Sequence, residues 1–135
     1  MAQVEDISDY SNFPPLIKLR LQSITSNEVY EKITHDMEHY YDHGKPFHLD
    51  IETKDVVNIH MIYLYRFAKF LTKMKDKTPQ LLQRTTIHIY ENYIFNLLYT
   101  LFTYLSRPIA PVDIVFWNSR DKEKRAIQKV HKFYP

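Results

Sequence analysis

Along this chain, stretches whose apolar residues recur at every second position take turns with stretches where they recur every three or four. That alternation restricts the fold more than any other feature of the sequence. Leu16–Ile24 has strand periodicity, with Leu16, Lys18, Arg20 and Gln22 on one side and Ile17, Leu19, Leu21 and Ser23 on the other. Thr25 followed three residues later by Glu28 predicts a capping box, and the helix behind it would turn Val29, Ile33, Met37 and Tyr40 inward. Gly44 suits a left-handed stop for that helix, with Pro46 just beyond.

The pattern then repeats. Residues 47–52 predict a second strand with Phe47, Leu49 and Ile51 on its core face. Thr53-Lys54-Asp55 reads as a polar turn, and Asn58 as the cap of a long helix over about 59–75. Residues 84–90 predict a third strand, rich in β-formers. A helix follows over about 92–106, with Phe95, Leu98, Leu101, Phe102 and Leu105 at core spacing. Pro108 and Pro111 bracket a turn before a fourth strand, Val112–Trp117. Asn118 or Ser119 would cap a last helix over 120–132, where Ala126, Ile127 and Val130 form a narrow apolar stripe.

Strand–helix alternation implies parallel neighbours joined by right-handed crossovers. The expected fold is therefore α/β: one small domain over residues 14–135, a mainly parallel four- to five-stranded sheet with alternating helices. Residues 1–13 read as a polar tail or a short edge strand. A chain of 135 residues builds one core rather than two, and 44% apolar with 25% charged residues suits a folded domain.

Composition removes several functions. The chain has no cysteine, so disulfides and thiolate chemistry are excluded. It has a single glycine, too few for a loop that brings several backbone amides onto a phosphate. A net charge of +2 gives no general basic field for nucleic acid. The start lacks the basic and apolar regions of a signal peptide, and the apolar run over 93–105 is too short for a bilayer span, so the expected location is cytoplasmic.

Order and spacing over about residues 16–132 resemble the STAS domain, the fold of bacterial anti-sigma-factor antagonists. The likeness rests on LDIETKDVVNIHMIYLYRFAKFL and on TIHIYENYIFNLLYTLF. It implies strand–helix pairs through to a final helix, and a regulatory role exerted by binding another protein. In that family a serine in the loop before the second helix accepts a phosphate. Here Asn58-Ile59-His60-Met61 fills the loop and supplies no such serine, so the resemblance implies binding without that switch. The segment 78–116 is also similar to the lipid-transfer CRAL-TRIO domain, which implies a small-ligand or lipid carrier.

Candidate chemistry is sparse. His35, His39 and His43 recur every four residues, a spacing at which neighbours can chelate zinc and serve a metal-dependent hydrolase. The polar residues around them fit a solvated helix face equally. Asp50, Glu52 and Asp55 gather near the end of the second strand, where parallel sheets usually bind ligands, although an alternating strand would also turn the first two to solvent. No serine sits in a nucleophile elbow; Ser106 and Ser119 read as helix-terminal residues. The basic residues Arg120, Lys122, Lys124, Arg125, Lys129 and Lys132 fit a solvated helix better than a nucleic-acid surface.

Eleven tyrosines are the more telling feature. Tyr40, Tyr41, Tyr63, Tyr65, Tyr93, Tyr99 and Tyr104 cannot all fit inside one small core, so several should be exposed, where aromatics favour protein contacts. The expectation is a protein-interaction module with no catalytic residues, no cofactor and no bound metal. It would bind a protein partner or a second copy through Asp55, Asn58, His60, Tyr63 and Arg66.

Overall fold

The computed structural model describes residues 15–105, 107–119, 121, 123 and 125–135. Their order is β1 (Leu16–Ile24), α1 (Asn27–Tyr41), β2 (Phe47–Ile59), α2 (Met61–Lys75), β3 (Leu82–Ile89), α3 (Asn92–Leu105), β4 (Val112–Trp117) and β5 (Ile127–Phe133). The fold is α/β, as the alternation predicts. The sheet runs β1-β2-β3-β4-β5, with the first four strands parallel and β5 antiparallel to β4.

Sequential strand order has a direct consequence. Each right-handed crossover steps the same way, so α1, α2 and α3 all fall on one face of the sheet. That face holds the core: Ile17 and Leu19 of β1, Phe47 and Leu49 of β2, Ile87 and Ile89 of β3, and Val112, Ile114 and Phe116 of β4. Helix α1 adds Tyr30, Ile33, Met37 and Tyr40; α2 adds Leu64, Ala68, Leu71 and Met74; α3 adds Ile94, Leu101, Phe102 and Leu105. Residues of the opposite parity point to the other face, which bears no helix among the described residues.

Several boundaries differ from those read off the sequence. The expected last helix over 120–132 is replaced at Ile127–Phe133 by β5; Arg120, Lys122 and Lys124, like the tail over 1–13 and Ser106, lie outside the described residues. The cause is tertiary. Strand β4 would otherwise present a bare edge, and β5 supplies its partners while turning Phe133 onto Phe102 (ring centroids 4.7 Å) and His131 onto Phe95 (5.2 Å). Asn118 serves the hairpin instead of a helix: its Oδ1 accepts from the Ala126 N–H at 2.7 Å. Ser119 Oγ likewise accepts from the Asp121 N–H at 3.0 Å within the same loop.

The Thr53-Lys54-Asp55 turn is absent, because β2 runs on to Ile59 alongside β1. Ser23 Oγ holds that extension, accepting from the N–H groups of Val57 (2.8 Å) and Asn58 (3.0 Å). Asn58 therefore lies within the strand, and His60 takes the N-cap position of α2. In α1 the cap is Ser26 rather than Thr25, with its hydroxyl accepting from the Val29 N–H. This moves Tyr30 into the core and leaves Val29 half-buried. Gly44 has φ +69°, the left-handed geometry its position suggests.

Candidate functional site

Parallel sheets usually bury both faces. This one leaves one face polar, and the reason is written across the strands. Lys18 and Arg20 stand on β1, Asp50 and Glu52 on β2, Arg84 and His88 on β3, Asp113 on β4 and Lys132 on β5, so the sign of charge reverses from strand to strand. Neighbouring strands then neutralise each other. Arg20 pairs with Asp55 at 2.9 Å, Arg84 with Asp113 at 3.5 Å, and Lys132 with Asp113 at 3.9 Å. The face is solvated without any large field of one sign.

Where the first half of β2 meets the C-terminal ends of β3 and β4, the pairing thickens into two linked chains. In the first, His88 Nε2 donates to Asp50 Oδ1 at 2.9 Å, and Trp117 Nε1–H donates to His88 Nδ1 at 2.9 Å. In the second, the Tyr90 hydroxyl donates to Glu52 Oε1 and accepts from Arg125 Nη1 at 2.6 Å. Arg125 also lies 4.5 Å above the Trp117 ring and 3.7 Å from Glu52 Oε2, which joins the two chains. Burial, the Glu52 bond and the Glu52 charge together push the Tyr90 hydroxyl up to about 12, against a smaller downward pull from Arg125.

Because β2 runs on to Ile59, Asp50 and Glu52 lie in the body of the sheet rather than at a strand end; an Asp–His pair on neighbouring strands still has the outline of an acid–base site. Here both ring nitrogens of His88 have partners within the protein. The indole proton occupies the nitrogen that would otherwise take a proton from a substrate, and the raised Tyr90 hydroxyl stays neutral at physiological pH. The arrangement orders side chains across three strands and the β4–β5 hairpin.

The five residues singled out for protein binding do not form one cluster. His60, Tyr63 and Arg66 come together at the start of α2. His60 stacks on Tyr63 (6.2 Å), Tyr63 stacks on Tyr30 of α1 (5.7 Å), and Arg66 lies 4.5 Å over Tyr30 while donating to Asn27 Oδ1 at 2.6 Å. Asp55 sits apart, paired with Arg20, and Asn58 is engaged through its backbone with Ser23. His35 and His39 are exposed on α1, His43 is exposed in the turn beyond its end, and His39 pairs with Asp42 at 3.3 Å. Among the described residues no group of three or more His, Asp or Glu side chains is placed to hold a metal ion.

Reading the sequence did not single out His88, Tyr90 or Trp117, and it placed Arg125 only in a basic run on the expected last helix. A signal existed: Arg84, Thr86 and His88 alternate along β3, so they share a face with Asp50 and Glu52 once β2 and β3 pair.

The helical side carries a second feature. Met61, Ile62 and Tyr65 on α2 and Tyr99 and Tyr104 on α3 are between 44% and 59% exposed. Tyr65 meets Tyr104 edge-on at 5.6 Å, and Lys69 stands 4.9 Å over the Tyr65 ring. Helix α2 contains Arg66, Lys69, Lys73 and Lys75 and no acidic residue, while α3 has no charged residue. Within the described residues no helix is long and apolar enough to cross a membrane. Compared with known proteins, the chain matches no family model, no curated protein and no solved structure.

Proposed function

We propose that this chain is a non-catalytic interaction module that binds a protein partner through the outer surface of α2 and α3. The observation that carries this reading is the ridge of Met61, Ile62, Tyr65 and Tyr104, where Tyr65 and Tyr104 touch across the two helices. Large apolar and aromatic side chains grouped on one surface are what protein interfaces use as anchors, with basic residues around them setting partner choice. The expected partner presents acidic groups. A second copy docked symmetrically would set the four cations of α2 against four of its own kind.

A STAS-like regulatory role is part of the proposal. In its favour stands the strand–helix order through the fourth strand, and against a complete likeness stands β5, where that family has a helix. The absence of a catalytic role draws support from His88, whose two ring nitrogens are both engaged.

Site-specific photocrosslinking tests the reading. A photoreactive residue at position 65 should capture a distinct partner of acidic surface, in an adduct that fades with rising salt and with Ile62→Ser. The same residue at the exposed α1 position 38 should not. Equal labelling from both positions, or only a salt-insensitive adduct of twice the chain mass, would sink it.

A further inference from the structure

Beneath the ridge, between the covered face of the sheet and helices α2 and α3, lies a cavity of about 110 Å³. Its floor is made by β2 and β3, including Leu49 and Ile87, and its roof by Leu64 and Leu71 of α2 and Leu101 of α3. Protein interiors pack to crystal density and hold few voids larger than a water molecule.

The wall chemistry decides what the space can hold. Its polar side-chain groups are hydroxyls, from Thr53, Thr85 and Tyr63. The Thr53 hydroxyl is already committed to the His88 carbonyl at 2.6 Å. Water needs two to four polar partners to sit in a buried space, so such a wall stays largely dry. A charged group is also excluded, because nothing on the wall compensates its desolvation. What remains is hydrocarbon. The wall residues Tyr63 and Phe67 on α2 and Leu98 on α3 are only half-buried, so the wall reaches solvent at these side chains.

We propose that this cavity is a binding site for a neutral hydrocarbon group of about six carbons, on the scale of the engineered apolar cavity of about 150 Å³ that takes benzene. Such a group is either a free ring or the end of a longer acyl chain whose polar head stays outside. The site is internal, so it stands whether or not the ridge above it binds a partner.

The test titrates the full chain with benzene and, separately, with octanoic acid, and follows methyl resonances by NMR. Saturable shifts confined to Leu49, Leu64, Ile87 and Leu101 are expected. Saturation by benzene alone assigns a ring, and saturation by octanoic acid alone assigns a chain end. Filling the space with Ala110→Leu should weaken binding about tenfold, the equivalent of some two buried methylenes of lost contact. Leu98→Phe provides a second filled variant, and if neither folds, the map of shifts in the unaltered chain decides. Lack of saturation by both probes, shifts scattered over the surface, or unchanged affinity in a folded filled variant would overturn the proposal.

Discussion

Trp117 donates its indole N–H to Nδ1 of His88 at 2.9 Å, and this single bond sets the tautomer of the histidine. With Nδ1 accepting, the ring proton resides on Nε2, where it meets Asp50 at 2.9 Å. The imidazole thus serves as a tie between β2 and β4 across β3.

Removing that tie should cost more than one hydrogen bond. His88→Ala leaves the indole N–H and a half-buried carboxylate without their partner, and the expected loss is about 1–3 kcal/mol. Trp117 is the only tryptophan in the chain, so its emission should shift in the same variant. Denaturant melts followed by intrinsic fluorescence check both effects. Emission identical to that of the unaltered protein would contradict the geometry.

Alkaline pH should weaken the fold in a defined window. Burial raises Tyr41 to about 12, and burial with Glu52 raises Tyr90 to about 12, against 10 for a free tyrosine. The folded state therefore favours the neutral phenols. That contribution is complete below pH 10 and disappears as pH climbs toward about 12. Denaturation midpoints measured at rising pH should fall across this window, and less steeply in Tyr41→Phe and Tyr90→Phe.

Two substitutions in β5 separate a strand from a helix. A helical stripe would bury Val130 and spare Phe133, whereas in the strand Val130 is 46% exposed and Phe133 packs on Phe102. Val130→Thr should change stability by less than about 0.5 kcal/mol, while Phe133→Ala should cost about 2 kcal/mol. Thermal melts read both, and the reverse ranking would argue for the helix.

Gly44 offers a purely backbone test. A Cβ added there meets nothing within 4 Å, so any penalty arises from φ +69° alone. Gly44→Ala is expected to cost about 1 kcal/mol and Gly44→Asn less, since asparagine tolerates the left-handed region. Equal melting temperatures for glycine and alanine would exclude that backbone geometry in solution.

The sequence displays its fold where the forces are local. Leu16–Ile24 and Val112–Trp117 alternate or run apolar over their whole lengths, and both strands have the expected limits. Ile127 and Val130 misled because a spacing of three among lysines satisfies a helix, while the edge of β4 that recruits them is visible only after the sheet forms. Thr53 and Asp55 look like turn residues because the support for that stretch comes from Ser23, more than thirty residues earlier. The same holds for the site. Asp50 and Glu52 were legible as acids on an alternating strand, but His88, Tyr90, Trp117 and Arg125 reach them through strand register, which no local pattern encodes.

Sequential strand order also governs how the chain can be assembled during synthesis. Among the described residues every strand pairs only with strands adjacent to it in sequence, so none of these β–β contacts closes a loop larger than one connection. Short closures are the fast ones, because less chain entropy is lost before contacts repay it. Each strand–helix–strand unit can dock on the one before it as it leaves the ribosome, in N- to C-terminal order. The growing sheet always ends in one fresh edge, and β5 closes that edge last.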